Sequence, residues 1–279
     1  MILIADSGSS KTDWRIIDKL GNISIQKTIG LNPYYQTKGD IINSIFSSFE
    51  KTVFEQVYKI YFYGAGCRDE GKVLMKKALE LSFKNAEVWV ENDLLAAARA
   101  TCGTSKGIAC ILGTGANSCL YNGCEIIDHI PPLGFVLGDE GSGAFLGKKL
   151  INAYFKRELP KELANRFQKH YKISESVVLQ NVYKQEFPNR YLAKFTRFLH
   201  HNLGHPFVKQ FLHESFLQFF SKNVIKYDGY LECPVHFTGS ISFYFNDVLR
   251  YTASELNISL GKVLESPIAG LSLYHEKDI

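Results

Sequence analysis

The chain has 279 residues, of which 46% are hydrophobic and 22% charged, and a formal charge of +4. That length suggests about two domains, and that apolar share supports sizeable cores and excludes a disordered chain. Lys and Arg are scattered rather than gathered into a stripe, and no apolar run approaches the roughly 18 residues of a membrane span. Neither nucleic acid nor a membrane is therefore expected as a partner.

Residues 1–6, 12–18 and 22–29 cluster or alternate apolar side chains between Gly and Asn punctuation, which predicts three short strands in an antiparallel meander. Ile41, Ile42, Ile45, Phe46 and Phe49 then share one face at helical spacing. The stretch "VYKIYFYGAG" reads as a buried strand with a helix over 69–83 behind it. "AEVWVEND" reads as another strand, followed by the short helix "LLAAARA". Strands alternating with helices in this way imply parallel order through crossovers.

The pattern then restarts. "KGIACILG", "SCLYN" and "CEIIDHI" predict a second meander about a hundred residues after the first. From Glu140 to Tyr227 the chain reads as mostly helical, "CPVHFTGS" as a late strand entering a helix, and "SPIAGLSLYHEK" as a C-terminal helix. The division expected is 1–112 for a first lobe, completed by the helix at 267–279, and 113–266 for a second lobe with a helical insertion. No linker composition separates them, so the two are expected to pack across a cleft.

Cysteines at 67, 102, 110, 119, 124 and 233 contain no Cys-x-x-Cys pair, which removes support for zinc ribbons and dithiol redox sites. The first residues lack a basic segment, and Asp6 interrupts the opening apolar run too early for a signal peptide. Reduced thiols in a cytoplasmic protein are the expectation.

Two glycine-rich stretches fail as nucleotide motifs. In "GAGCRDEG" (64–71) the third glycine falls too late for a dinucleotide fingerprint. In "GSGAFLGKKL" (141–150) the spacing to Lys148 is one residue too long for a phosphate loop, and no Ser or Thr follows that lysine. The opening hairpin differs. Asp6-Ser7-Gly8-Ser9-Ser10-Lys11-Thr12 sits between two strands, so its amides and hydroxyls, beside a lysine, suit a phosphate chain. Asp6 at the strand end suits Mg²⁺, which takes a few carboxylates plus water and phosphate oxygens. An ordinary polar hairpin is the plain alternative. Leu112-Gly113-Thr114-Gly115-Ala116-Asn117-Ser118 repeats the arrangement in the second meander, and Phe237-Thr238-Gly239-Ser240 lies between a strand and a helix, where glycine lets backbone approach a base or ribose.

Asp93 ends a strand and precedes a helix, at the carboxyl edge where open α/β sheets bind ligands. A carboxylate there can take the proton of a hydroxyl that attacks phosphorus, and a helix N-terminus favours its ionised form. It could also cap the helix at 94–101, or do both. Asp139 and Glu140, bracketed by Gly138 and Gly141 ahead of an amphipathic helix (Phe145, Leu146, Leu150, Tyr154), suit paired sugar hydroxyls; a cap explains one acid but not two. Asn32 in "LNPYY" reads by itself as a turn set by Pro33. Gly204 and Pro206 break the helix that would align His200, His201 and His205, which therefore read as surface histidines rather than metal ligands.

The order Asp6-x-Gly8-x-Ser10-Lys11-Thr12, Gly113-Thr114-Gly115, Thr238-Gly239-Ser240 resembles the actin-like sugar-kinase superfamily. Within it, "ENDLLAAARA", "LGTGANS" and "PPLGFVLGDEGSGAFLG" resemble the N-acetylglucosamine kinase branch of the BadF/BadG/BcrA/BcrD-type ATPase family, over nearly the whole chain. The resemblance implies an α/β, two-lobed actin-like ATPase (ribonuclease H-like) fold, each lobe a mixed sheet with an antiparallel meander and parallel strands flanked by helices. It implies ATP and Mg²⁺ as cofactors and phosphorylation of the 6-hydroxyl of N-acetylglucosamine or a related amino sugar. A homodimer is expected.

By that resemblance Asp6 holds Mg²⁺ through water; Gly8, Ser10, Lys11 and Thr12 lie near phosphate; and Gly113, Thr114 and Gly115 form the second phosphate loop. Gly239 and Ser240 line adenosine, Asp93 is the base, and Asn32, Asp139 and Glu140 join it at the sugar. "PPLG" (131–134) departs from the tryptophan-bearing segment of animal relatives, which leaves the sugar open. Two other readings share the fold. One is an ATPase activator of a radical dehydratase, whose bridging cluster Cys119 and Cys124 fit poorly. The other is a non-catalytic sugar or ATP sensor, which should lack the base.

Overall fold

A computed structural model of the chain describes residues 1–8 and 11–276. The chain divides into two units. The first holds Met1–Ser105, Gly123–Glu125 and the chain from Ser266 onward; the second holds Lys106–Asn122 and Ile126–Glu265.

In the first unit β1 (Ile2–Ser7), β2 (Lys11–Ile17) and β3 (Ile23–Ile29) form the meander, followed by α1 (Lys38–Phe46), α2 (Lys51–Gln56), β4 (Lys59–Gly64), α3 (Asp69–Ser82), β5 (Glu87–Asn92) and α4 (Asp93–Cys102). The sheet runs β3-β2-β1-β4-β5, antiparallel across the meander and parallel from β1 to β4 to β5. Alternation along the strands fills both faces. Leu3, Ala5, Trp14, Phe62, Val88 and Val90 pack with Met75 and Leu79 of α3. On the other face Ile2, Ile4, Tyr61 and Tyr63 meet Ala96 and Ala100 of α4.

The second unit repeats this plan. It contains β6 (Gly107–Leu112), β7 (Ala116–Tyr121), β8 (Ile126–Asp128), α5 (Gly134–Leu137), α6 (Gly143–Phe155), α7 (Lys161–Tyr171), α8 (Glu175–Tyr183), α9 (Pro188–Ala193), α10 (Thr196–His201) and α11 (Pro206–Lys222). After them come β9 (Val235–Thr238), α12 (Ser240–Tyr244), α13 (Asn246–Glu255) and β10 (Leu260–Leu264). Its sheet order, β10-β9-β6-β7-β8, is the first sheet's order read from the other side: a three-strand meander with two parallel strands added. The last helix, α14 (Ile268–Tyr274), returns to the first unit, where Ile268 and Leu271 join Ala96 and Ala100. The division differs from the expected one at its boundary. The strand 107–112 pairs with β7 and β9, so it opens the second unit instead of closing the first.

Among the described residues no helix is long and apolar enough to cross a membrane. His200 and His201 are exposed and His205 pairs with Glu162 at 2.6 Å, as surface histidines do.

Helix α6 follows the turn that carries Asp139 and Glu140, and its seat depends on one glycine. A Cβ added at Gly147 would lie 1.9 Å from the carbonyl oxygen of Leu192 in α9. Ala is the better helix former by about 1 kcal/mol, yet backbone cannot yield as a side chain can. Gly147→Ala is expected to destabilise the protein by about 1–3 kcal/mol net, read as a lowered thermal midpoint. A midpoint at or above wild type would mean that α9 moves aside without cost.

Candidate active site

Asp6 is the penultimate residue of β1, opposite Asp13 of β2 in the antiparallel register. Burial pushes its carboxyl up to about 7. A hydrogen bond from Ser266 Oγ (3.1 Å) works against that rise, while the carboxylates of Asp93 and Asp13 add to it. Asp13 is itself buried, but Lys11 Nζ sits 2.6 Å from Oδ2 and Lys27 Nζ 4.0 Å from Oδ1. Lys11 also opposes the rise at Asp6, but the close ion pairs of this cross-strand pair are made by Asp13. Among the described residues no three His, Cys, Asp or Glu side chains are grouped closely enough to bind a metal by themselves. One buried carboxylate at a strand end still fits Mg²⁺, which keeps waters and takes phosphate oxygens for its other positions.

The hairpin between these strands closes through Gly8 N–H donating to Lys11 O (3.0 Å). Ser10 lies outside the described residues. Two of the expected phosphate neighbours are otherwise engaged. The side chain of Lys11 is occupied by Asp13, and Thr12 is fully buried. Thr12 Oγ1 donates to Ile29 O (3.0 Å), lies 2.7 Å from Ser7 Oγ, and with it accepts from Leu31 N. This buried hydroxyl pair is a strut. It ties the ends of β1 and β2 to the segment leaving β3, and so sets the position of Asn32.

Asn32 is buried, and its Oδ1 accepts from Tyr34 N (2.9 Å), the local turn expected from its sequence. The glycine stretch that failed as a nucleotide loop has its explanation here. A Cβ on Gly66 would lie 2.4 Å from Asn32 Oδ1, and one on Gly71 would lie 3.1 Å from Pro33. The loop after β4 therefore packs directly on the Asn32–Pro33 turn.

Asp93 is the first residue of α4, and it is not the cap. Asn92 is: its Oδ1 accepts from Leu95 N (2.9 Å). Asp93 is half-buried overall, with its carboxyl enclosed by protein. Burial raises its pKa, opposed by the Arg68 guanidinium and by the backbone N–H groups of Leu94 and Asp93. The helix terminus expected to keep it ionised is outweighed by desolvation. Since β1, β4 and β5 are parallel and in register (Ser7↔Gly64↔Asn92), Asp6, the Gly64–Gly66 turn and Asp93 lie at one carboxyl edge of the sheet.

In the second unit the Gly113–Gly115 hairpin is clamped to the start of α6. Gly143 N and Ala144 N donate to the carbonyls of Gly113 and Thr114 (2.8 and 3.0 Å), while Ser142 caps the helix. Asp139 reaches the same hairpin, Oδ1 accepting from Ala116 N (3.2 Å). Its φ of +56° is uncommon for a residue with a side chain, the kind of strain that collects at functional positions. Burial pushes Asp139 up to about 6 despite that amide, with Glu140 adding to the rise. Glu140 is held by Lys222 (2.8 Å), which gives it a structural partner that the sequence did not suggest. Gly239, at φ +114°, is backed against the first hairpin strand: a Cβ would meet Leu112 O at 2.3 Å. Ser240 follows as the first residue of α12. Gly113, Gly115 and Gly239 are thus gathered at the carboxyl ends of β6 and β9.

Three contributors were missed by sequence reasoning. Ser266 and Lys222 act across 260 and 82 residues, and nothing local announces them. Asp13 had a signal. Residues two apart on a strand point the same way, so Lys11 and Asp13 could have been paired beforehand.

A solved structure from Porphyromonas gingivalis, provisionally named an N-acetylglucosamine kinase, is 39% identical over 100% of this chain and 99% of that one, with a TM-score of 0.95. The chain belongs to that protein's family. The fold is therefore the α/β, two-lobed, actin-like one. A second provisionally named N-acetylglucosamine kinase, from Chromobacterium violaceum, matches at TM-score 0.69 and 15% identity over 98% of both chains. A ROK-family glucokinase from Streptomyces griseus, solved with glucose and AMPPNP, matches at 0.56 and 17%, covering 99% of this chain and 98% of that one. At those identities the likeness is one of fold alone. No family model matches the chain, and no curated protein does.

Proposed function

We propose that this protein is an ATP-dependent sugar kinase of the BadF/BcrA-type group that phosphorylates the 6-hydroxyl of N-acetylglucosamine or a close amino sugar. The observation that carries this reading is Asp93. It is an enclosed carboxylate at the carboxyl edge of parallel strands, next to a helix whose capping is already done by Asn92. A residue released from capping, whose burial-raised pKa the Arg68 guanidinium opposes, has the chemistry of a general base. Relationship to the Porphyromonas gingivalis protein supports the sugar class, and the nucleotide held by the Streptomyces griseus neighbour supports ATP.

Asp93 would accept the proton of the sugar's primary hydroxyl as that oxygen forms its bond to the γ-phosphorus. The bond to the bridging oxygen breaks, and ADP leaves. Gly113, Thr114 and Gly115 would receive phosphate, and the glycine surface at Gly239 with Ser240 would receive adenosine. Asp139 and Asn32 would orient sugar hydroxyls. Glu140, held by Lys222, would fix the turn that presents Asp139. Mg²⁺, held by Asp6 through water, would offset the charge of the phosphates.

ADP release in a coupled assay over a panel of amino sugars tests the reading. N-acetylglucosamine, glucosamine or N-acetylmuramic acid should stimulate it strongly over the sugar-free rate. Absence of stimulation by any hexose derivative in the panel would overturn it.

A further inference from the structure

A cavity of about 530 Å³ lies within the second unit, lined by residues of α6 and α11 and by Glu158. It shares no residue with the candidate active site. Its volume falls in the range of small-molecule sites, and its wall combines three kinds of surface.

The first is an ammonium. Lys149 is half-buried, its Nζ 4.9 Å from the ring centre of Phe211 and 5.8 Å from that of Phe145. Nζ donates to Ser215 Oγ (3.2 Å), a fully buried hydroxyl already committed to Phe211 O. An ammonium has three donors, and the ion pairs among the described residues do not include Lys149. Burial lowers its pKa, with Glu214 acting the other way. A partly desolvated amine with no carboxylate within ion-pair distance is a cost to the protein.

The second is a pair of carboxylates. Glu158 and Glu214 line the same cavity, both exposed, and neither is within ion-pair distance of Lys149. Glu214 accepts from Gln210 (3.0 Å). The third is aromatic: Phe207 and Phe211 complete the wall. One cavity therefore presents Lys149 and two carboxylates that form no ion pair with it, with phenyl faces alongside; the second lysine of the wall, Lys148, donates to Phe135 O (2.9 Å). A ligand complementary to that wall carries both charges and an apolar body.

We propose that this cavity binds a small apolar amino acid or short peptide as its zwitterion. The ligand's carboxylate would meet Lys149, its ammonium would meet Glu158 and Glu214, and its side chain would lie on Phe207 and Phe211. The proposal is independent of the kinase reading.

Isothermal titration of the full chain with L-leucine, L-methionine and L-phenylalanine tests it, alongside 3-phenylpropanoate, which lacks the amine, and 2-phenylethylamine, which lacks the acid. At least one amino acid should bind saturably, and loss of either charge should weaken binding by about tenfold or more. Lys149→Met keeps the aliphatic stem and removes the charge. It should weaken amino-acid binding by a similar factor while melting no lower than wild type. Glu158→Gln, at an exposed position, gives a second variant with the same expected loss. The proposal is overturned by absence of saturable binding across the three amino acids, by equal binding of either singly charged analogue, or by unchanged affinity in both variants.

Discussion

Asp93→Asn is expected to lower kcat for sugar phosphorylation by about 10²–10⁴-fold, the usual contribution of a positioned general base, with sugar KM little changed. The substitution keeps shape and removes the proton-accepting charge. It leaves the helix cap intact, because the capping bond to Leu95 N belongs to Asn92. That separation makes a paired control possible. Asn92→Ala should destabilise α4 by about 1 kcal/mol while sparing the chemical step. If instead Asp93→Asn kept near wild-type turnover, Asp93 would be a structural residue and the proposed mechanism would lose its base. Arg68 supplies a further check on the same group. It opposes the burial that raises the Asp93 pKa, so Arg68→Gln should move the acid limb of the kcat profile to higher pH.

The plan of the fold was legible because the central strands of both sheets are short and largely buried, and their alternation and apolar runs survive in the sequence. The repeat of 1–29 at 107–128 is visible for the same reason. What escaped was short or decided at a distance. β10 is five residues long, only partly buried, and pairs with β9 through an irregular register, so its "LGKVL" carries no strong period. The helices α2, α5 and α13 went unread as well. The strand at 107–112 was recognised as opening the second meander, and its pairing with β7 and β9 puts it in the second unit although the expected boundary fell after it.

The site divides along the same line. Asp6, Asp93 and Asp139 are candidates because an acid at a strand end, or beside glycines before a helix, is a local pattern, and each is partly or largely enclosed in the structure. Family resemblance places Lys11 and Thr12 near phosphate but says nothing of where their side chains point. Thr12 faces the buried junction with Leu31, and Lys11 is drawn along its own strand to Asp13. Hydroxyls and lysines are ambiguous until their neighbours are known, whereas an enclosed carboxylate held above its usual pKa demands a reason.

Asp6→Asn should abolish sugar-dependent ADP release and yet stabilise the ligand-free protein at alkaline pH. In the folded chain the Asp6 carboxyl titrates at about 7, against an ordinary value of 3.8. Between those values the folded state holds a proton that the unfolded chain has released, so stability falls as pH rises through the window and levels off above 7. Wild type and variant should therefore melt alike near pH 4, and the variant should gain as pH climbs, by about 1–3 kcal/mol at pH 8. Ser266→Ala removes the hydrogen bond that restrains the shift, so it should move the wild-type transition to higher pH. A melting difference independent of pH would mean that Asp6 is ionised throughout and carries no stored electrostatic strain. A difference that grows with pH and shrinks on adding Mg²⁺ would identify what relieves it, since a site folded around an uncompensated carboxylate is least costly when a cation is bound there.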